Sequence, residues 1–198
     1  MRKIRILFLI ICVTTYANAQ TPLQDCVTSS FYRPDSTINH ADRLMLWIDC
    51  MQDKELPEFT AQKLNGDKLK SRDLSGKIVV LNLWFIDCLP CIKELPALNR
   101  LVKEYRKYKD VIFLSITHES KERIQNDFFK KYKLDFEIVP EANNVVEMFG
   151  KPGFPATFVF NREGKIKNSW LGGPVDDSAE TEAYNRIKPV LDNLLKSE

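Results

Sequence analysis

Cys88 and Cys91 are separated by Leu89 and Pro90 and stand between an apolar run at residues 78–85 and the start of a helical pattern. Two intervening residues at a helix start put the sulfurs about one turn apart, close enough to bond and to part with little backbone movement. The chemistry this spacing suits is reversible dithiol exchange. A thiolate is the attacking species, and unpaired amides at a helix N-terminus stabilise it, so Cys88 is the expected nucleophile. Cys91, inside the first turn on the apolar side, is the expected resolving thiol that attacks Cys88 and frees a mixed disulfide. Pro90 suits a first turn, where its missing amide hydrogen costs nothing, and Leu89 supplies an apolar collar.

Two plainer uses of such a pair are weaker. Tetrahedral zinc needs further ligands, and the histidines, His40 and His118, are far apart in the sequence. A purely structural bridge across so short a loop removes little entropy from the unfolded chain.

The elements that must hold the pair follow a regular order. Residues 78–85 and 111–116 read as buried strands, and Cys91, Leu95, Leu98, Val102 and Tyr105 repeat at helical spacing between them. This is a βαβ unit with a right-handed crossover, and Pro96 should bend its helix. Upstream, residues 59–64 and 68–69 flank Asn65-Gly66, a strong hairpin signal. Downstream, residues 121–132 read as a helix and 137–139 as a strand. Residues 144–149 read as a helical turn ended by Gly150, and 157–160 with 165–171 as an antiparallel hairpin. A last helix carries Ala183, Ile187, Leu191, Leu194 and Leu195 on one side. The expected fold is α/β, a mixed central sheet flanked by helices.

The N-terminus reads as an address. Arg2, Lys3 and Arg5 precede an apolar core at residues 6–13, and Ala17-Asn18-Ala19 matches a secretory cleavage site before Gln20. The apolar core is shorter than the roughly 20 residues that span a bilayer, so residues 1–19 are expected to be a removed signal peptide and the mature protein soluble and periplasmic. Removal leaves Cys26, Cys50, Cys88 and Cys91, for which the economical pairing joins Cys26 to Cys50 as a structural staple. Residues 20–55 form an extension, with one or two helical turns expected at 42–51, and residues 56–198 form a single domain. With 29 Lys plus Arg against 27 Asp plus Glu, no strong field invites nucleic acid or acidic membranes.

The run Asn82-Leu83-Trp84-Phe85-Ile86-Asp87-Cys88-Leu89-Pro90-Cys91-Ile92-Lys93-Glu94-Leu95-Pro96, with Gly153-Phe154-Pro155 before a hydrophobic hairpin, resembles the thioredoxin fold and its TlpA/ResA-type branch of exported thiol-disulfide oxidoreductases. The resemblance implies that Pro155 is a cis-proline beside the redox pair and that the Phe154 backbone binds an extended peptide partner. It implies that Asn82 takes the place of a buried acid found in cytosolic thioredoxins and that Glu94 matches the branch's acidic residue. Glu94 is then either a partly buried proton relay for Cys91 or an exposed first-turn carboxylate complementing the helix dipole. Asp87 departs from the family's usual tryptophan. A carboxylate there disfavours the Cys88 thiolate and pushes the couple toward a lower, reducing potential.

The resemblance further implies clients that are disulfide-containing envelope proteins, apocytochromes c among them, and a membrane-borne thiol donor. A monomer is expected, with no cofactor beyond the Cys88–Cys91 disulfide. Two other functions fit parts of the sequence. A thiol peroxidase shares the fold, but needs a threonine one helical turn before its cysteine and an arginine nearby, and residues 82–88 contain neither. A metal carrier or non-catalytic binding module would draw on His118, which follows the second strand.

Overall fold

The computed structural model describes residues 21–32, 34 and 37–197. The expected signal peptide lies outside the described residues. Five strands form the main sheet: β3 Ile78–Leu83, β4 Val111–Ile116, β5 Glu137–Val139, β6 Ala156–Phe160 and β7 Ile166–Leu171, in the order β5-β4-β3-β6-β7. β4 pairs parallel with β3 and β5, whereas β6 pairs antiparallel with β3 and β7. Every residue of β3 is buried, as its unbroken apolar run requires of a strand covered on both faces.

Alternation along β3 divides the core. Val79, Leu81 and Leu83 face one apolar cluster, and Ile78 and Val80 face the other. The second cluster holds both cysteines of the pair together with α4 Leu95–Tyr105 and α7 Ala179–Lys196. α3 Leu89–Lys93 precedes α4, and the two are separated at Glu94. The bend expected at Pro96 is thus an interruption two residues earlier, with Pro96 in the first turn of α4, where it disrupts no helical hydrogen bond.

The extension covers the other face. It consists of α1 Pro22–Phe31 and α2 His40–Met51, more helix than the one or two turns expected. α1 begins at a capping box in which Thr21 and Gln24 satisfy each other's backbone N–H groups. Its Leu23, Cys26, Val27 and Ser30 are buried at helical spacing, a stripe made faint by its polar and β-branched residues. Cys26 and Cys50 are bonded, joining α1 to α2, and Trp47 packs edge-on to Phe158 of β6 at 5.8 Å. The extension therefore sits across the sheet from the Cys88–Cys91 pair, leaving that side uncovered by it.

β1 Thr60–Gln62 and β2 Lys68–Lys70 form the expected hairpin, with Gly66 in the left-handed region at φ 95°. The helix expected over 121–132 is shorter and irregular. α5 Lys121–Arg123 passes into a π-helical turn, Ile124–Phe128, that buries both Ile124 and Phe128, the latter 4.7 Å from the Trp84 ring. α6 Asn143–Met148 packs beside α1.

Candidate active site

After β3 ends at Leu83, the chain crosses from Trp84 to Asp87 and enters α3 with Cys88 as its N-cap residue. Cys88 and Cys91 are bonded, with Cα atoms 5.2 Å apart. The Cys91 amide donates to Cys88 Sγ at 3.3 Å, so the helix start turns one of its free N–H groups on the sulfur expected to become a thiolate. The two cysteines are unequal: Cys91 is 1 % exposed and Cys88 5 %. Leu89, at 55 % exposure, stands out beside them as the collar expected from its place in the motif.

The Phe154–Pro155 bond is cis, and the Pro155 carbonyl accepts from Gly172 N–H at 2.8 Å. Pro155 and Pro90 line one cleft, which places the proline loop against the start of α3. Phe154 packs edge-on to Phe85 at 5.2 Å, and the exposed ring of His118 lies 5.7 Å from Phe85 and 6.0 Å from Phe154. These three rings give the rim an aromatic surface although the position before Cys88 holds Asp87.

Beneath α3 the sheet carries a polar row. Ser115, Asn82 and Thr157 are register partners on β4, β3 and β6 and so share one face. Asn82 Nδ2 donates both to Thr157 Oγ1 at 3.0 Å and to Glu94 Oε1 at 2.9 Å. Glu94, only 7 % exposed, is therefore not a solvated first-turn carboxylate. Burial pushes its carboxyl up to about 8, while the Asn82 hydrogen bond and the Arg186 charge pull weakly the other way. A carboxyl poised there can hold or release a proton near neutrality, one helical turn from Cys91.

Asp87 does not stand alone. Arg123 Nη2 donates to Asp87 Oδ2 at 2.6 Å, and its Nη1 donates to both oxygens of Glu119, at 3.0 and 2.7 Å. Glu119 Oε1 also accepts from Ile86 N–H at 2.9 Å, so a buried carboxylate and a guanidinium clamp the segment leading into Cys88. The charge of Asp87 on Cys88 is thereby offset, and the two carboxylates and one guanidinium leave a formal excess of one negative charge. The sequence reading missed Glu119, Arg123 and Thr157. Glu119 had a positional signal, since it lies just past the C-terminal end of parallel strand β4, where functional groups of α/β sheets gather. Arg123 also supplies an arginine near the cysteine segment, but its guanidinium is occupied by two carboxylates.

A mixed sheet of this order, with an oxidised Cys-x-x-Cys at a helix start and a cis-proline across a shared cleft, defines a thioredoxin-like thiol-disulfide oxidoreductase. The chain belongs to the AhpC/TSA family, whose sequence profile matches residues 53–169. Thiol-disulfide oxidoreductase ResA of Bacillus subtilis (strain 168) is 32 % identical over 136 residues, covering 68 % of this chain and 75 % of that one. A thiol:disulfide interchange protein of the thioredoxin family from Chlorobium tepidum TLS superposes with TM-score 0.57 at 20 % identity, over 71 % of this chain and 97 % of its own. A secreted disulfide oxidoreductase from Mycobacterium tuberculosis superposes with TM-score 0.55 at 24 % identity, over 66 % of this chain and 95 % of its own. The chain is thus similar to the ResA enzymes in sequence and shares its fold with thiol-disulfide exchange proteins.

Proposed function

We propose that this oxidoreductase is exported and works as a reductant of disulfides in cell-envelope proteins. The observation that carries the reading is the asymmetry of the bonded pair: Cys88 is the N-cap residue whose sulfur accepts the Cys91 N–H, whereas Cys91 lies one turn from a buried acid. In the reduced enzyme, the Cys88 thiolate attacks one client sulfur. The client S–S bond breaks, and the other client sulfur leaves as a thiolate that takes a proton from water. Cys91 then passes its proton to the Glu94 carboxylate and attacks Cys88 Sγ, reforming the Cys88–Cys91 bond and expelling the second client sulfur as a thiolate that takes a proton from water, while Glu94 returns its proton to solvent. The client gains two electrons and two protons, and the enzyme pair loses them.

The residual negative charge of the Asp87, Arg123 and Glu119 cluster favours the disulfide over the Cys88 thiolate, which supports the reducing direction. Asn82 serves the site by holding Glu94, while Leu89, Pro90 and the Phe154–Pro155 backbone receive an extended client segment. Export is supported by the leader motif before Gln20 and by the Cys26–Cys50 bond, which belongs in an oxidising compartment. No helix among the described residues is long and apolar enough to cross a membrane. Apocytochromes c are the clients suggested by the resemblance, and the spent enzyme requires a membrane-borne thiol donor.

The test is reduction of insulin and of an apocytochrome c disulfide by the mature protein. Cys88→Ser should abolish turnover, and Cys91→Ser should accumulate a client adduct on Cys88. Turnover retained in Cys88→Ser rules the mechanism out.

A further inference from the structure

The buried acid has a route to solvent that avoids the cysteines. A cleft runs from Glu94 between the Gly172–Pro174 segment and the first turns of α7, and its walls include Glu182 and Arg186. Its interior volume is about 20 Å³, room for one or two waters. Those waters link Glu94 to solvent and suit the passage of a proton. Arg186 and Glu182 form an ion pair one helical turn apart, each side chain about one-third exposed, at the mouth of the cleft.

The other groups around Glu94 carry no charge. Asn82 on β3 and Thr157 on β6 are neutral, and Cys88 and Cys91 on α3 are bonded to each other. Lys93, next to Glu94 in the chain, is half-buried and does not line the cleft. Arg186 is the cation that shares the cleft with Glu94, and Glu182 the anion paired with it. We propose that the Glu182–Arg186 pair sets the pH at which Glu94 exchanges its proton with solvent through this cleft. The inference deepens the relay assigned above and rests on that reading for its bearing on turnover. Arg186 and Glu182 are positioning residues: neither touches the reacting sulfurs, and each acts through Glu94.

The pair gives opposite signs on substitution, which a merely structural role does not. Arg186→Gln removes the cation and should raise the Glu94 midpoint by about half a pH unit or more, cutting the resolving rate roughly threefold at pH values below that midpoint. Glu182→Gln frees Arg186 to act on Glu94 and should lower the midpoint, while Arg186→Lys should keep it near the parent value. The primary readout is the Glu94 carboxyl titration in the mature oxidised protein, followed by carbon-13 NMR and assigned with Glu94→Gln. It needs no turnover. The second readout is the pH profile of insulin reduction. Opposite shifts of the titration in the two variants support the proposal. Midpoints that stay put, or move the same way, overturn it. If the titrations shift as expected and the reduction profile does not follow, the tuning stands and the relay role of Glu94 falls.

Discussion

Glu94 should make the oxidised protein lose stability as the solution becomes alkaline. Its carboxyl titrates near 8 in the folded protein because burial penalises the charged form, against 4.5 in an unfolded chain. Below 4.5 both states hold the proton and the group costs nothing. Between 4.5 and about 8 the unfolded chain releases a proton that the folded chain keeps, so each pH unit removes about 1.4 kcal/mol. Across the window the loss is on the order of 5 kcal/mol, comparable with the whole stability of many domains, and it is complete above the folded value. Glu94→Gln cannot ionise yet still presents an oxygen to Asn82 Nδ2. The variant should therefore match the parent near pH 4 and exceed it by several kcal/mol at pH 8. Urea unfolding of both oxidised proteins at intervals from pH 4 to 9 measures the difference. Asp192 and Glu104, which hydrogen bonds to Lys188 hold below the usual carboxylate range, lose their contribution only on acidification and do not obscure this window. Parallel pH dependence in parent and variant would refute the assignment of a strained, buried acid.

Arg123→Gln should leave Asp87 and Glu119 uncompensated beside Cys88 and lower the reduction potential by about 15 mV, a threefold change in equilibrium constant, measured against glutathione. Asp87→Asn should shift it the opposite way. Replacing Cys26 and Cys50 by serine removes a bridge between residues 24 apart and should cost about 3 kcal/mol in denaturant unfolding, with insulin reduction unchanged because the extension lies across the sheet from the pair. Gly150→Ala should destabilise by roughly 1–3 kcal/mol in thermal unfolding, since Gly150 has φ 77° and a Cβ there would meet Val27 Cγ2 at 2.7 Å.

The redox pair, its two strands, the hairpin at Asn65-Gly66 and the turn ending at Gly150 were legible because each is written in local spacing or in a residue with one strong conformational preference. The cis bond before Pro155 followed from a motif shared with the thioredoxin fold. Residues 121–132 misled because helical periodicity is silent on winding, and the burial of both Ile124 and Phe128 is satisfied by a π turn. α1 was missed because its buried stripe shows only against α2 and α6, the elements it packs on.

By itself the chain of residues determined that two sulfurs can meet and part at a helix start, since that depends on a separation of three positions and a backbone turn. Only the tertiary structure decided how the charges around them act. Asp87 meets Arg123 across 36 residues, and Glu94 meets Asn82 across 12 and shares its cleft with Arg186 of the last helix. Electrostatic energy depends on burial and on distance through space, and neither is carried by separation along the chain.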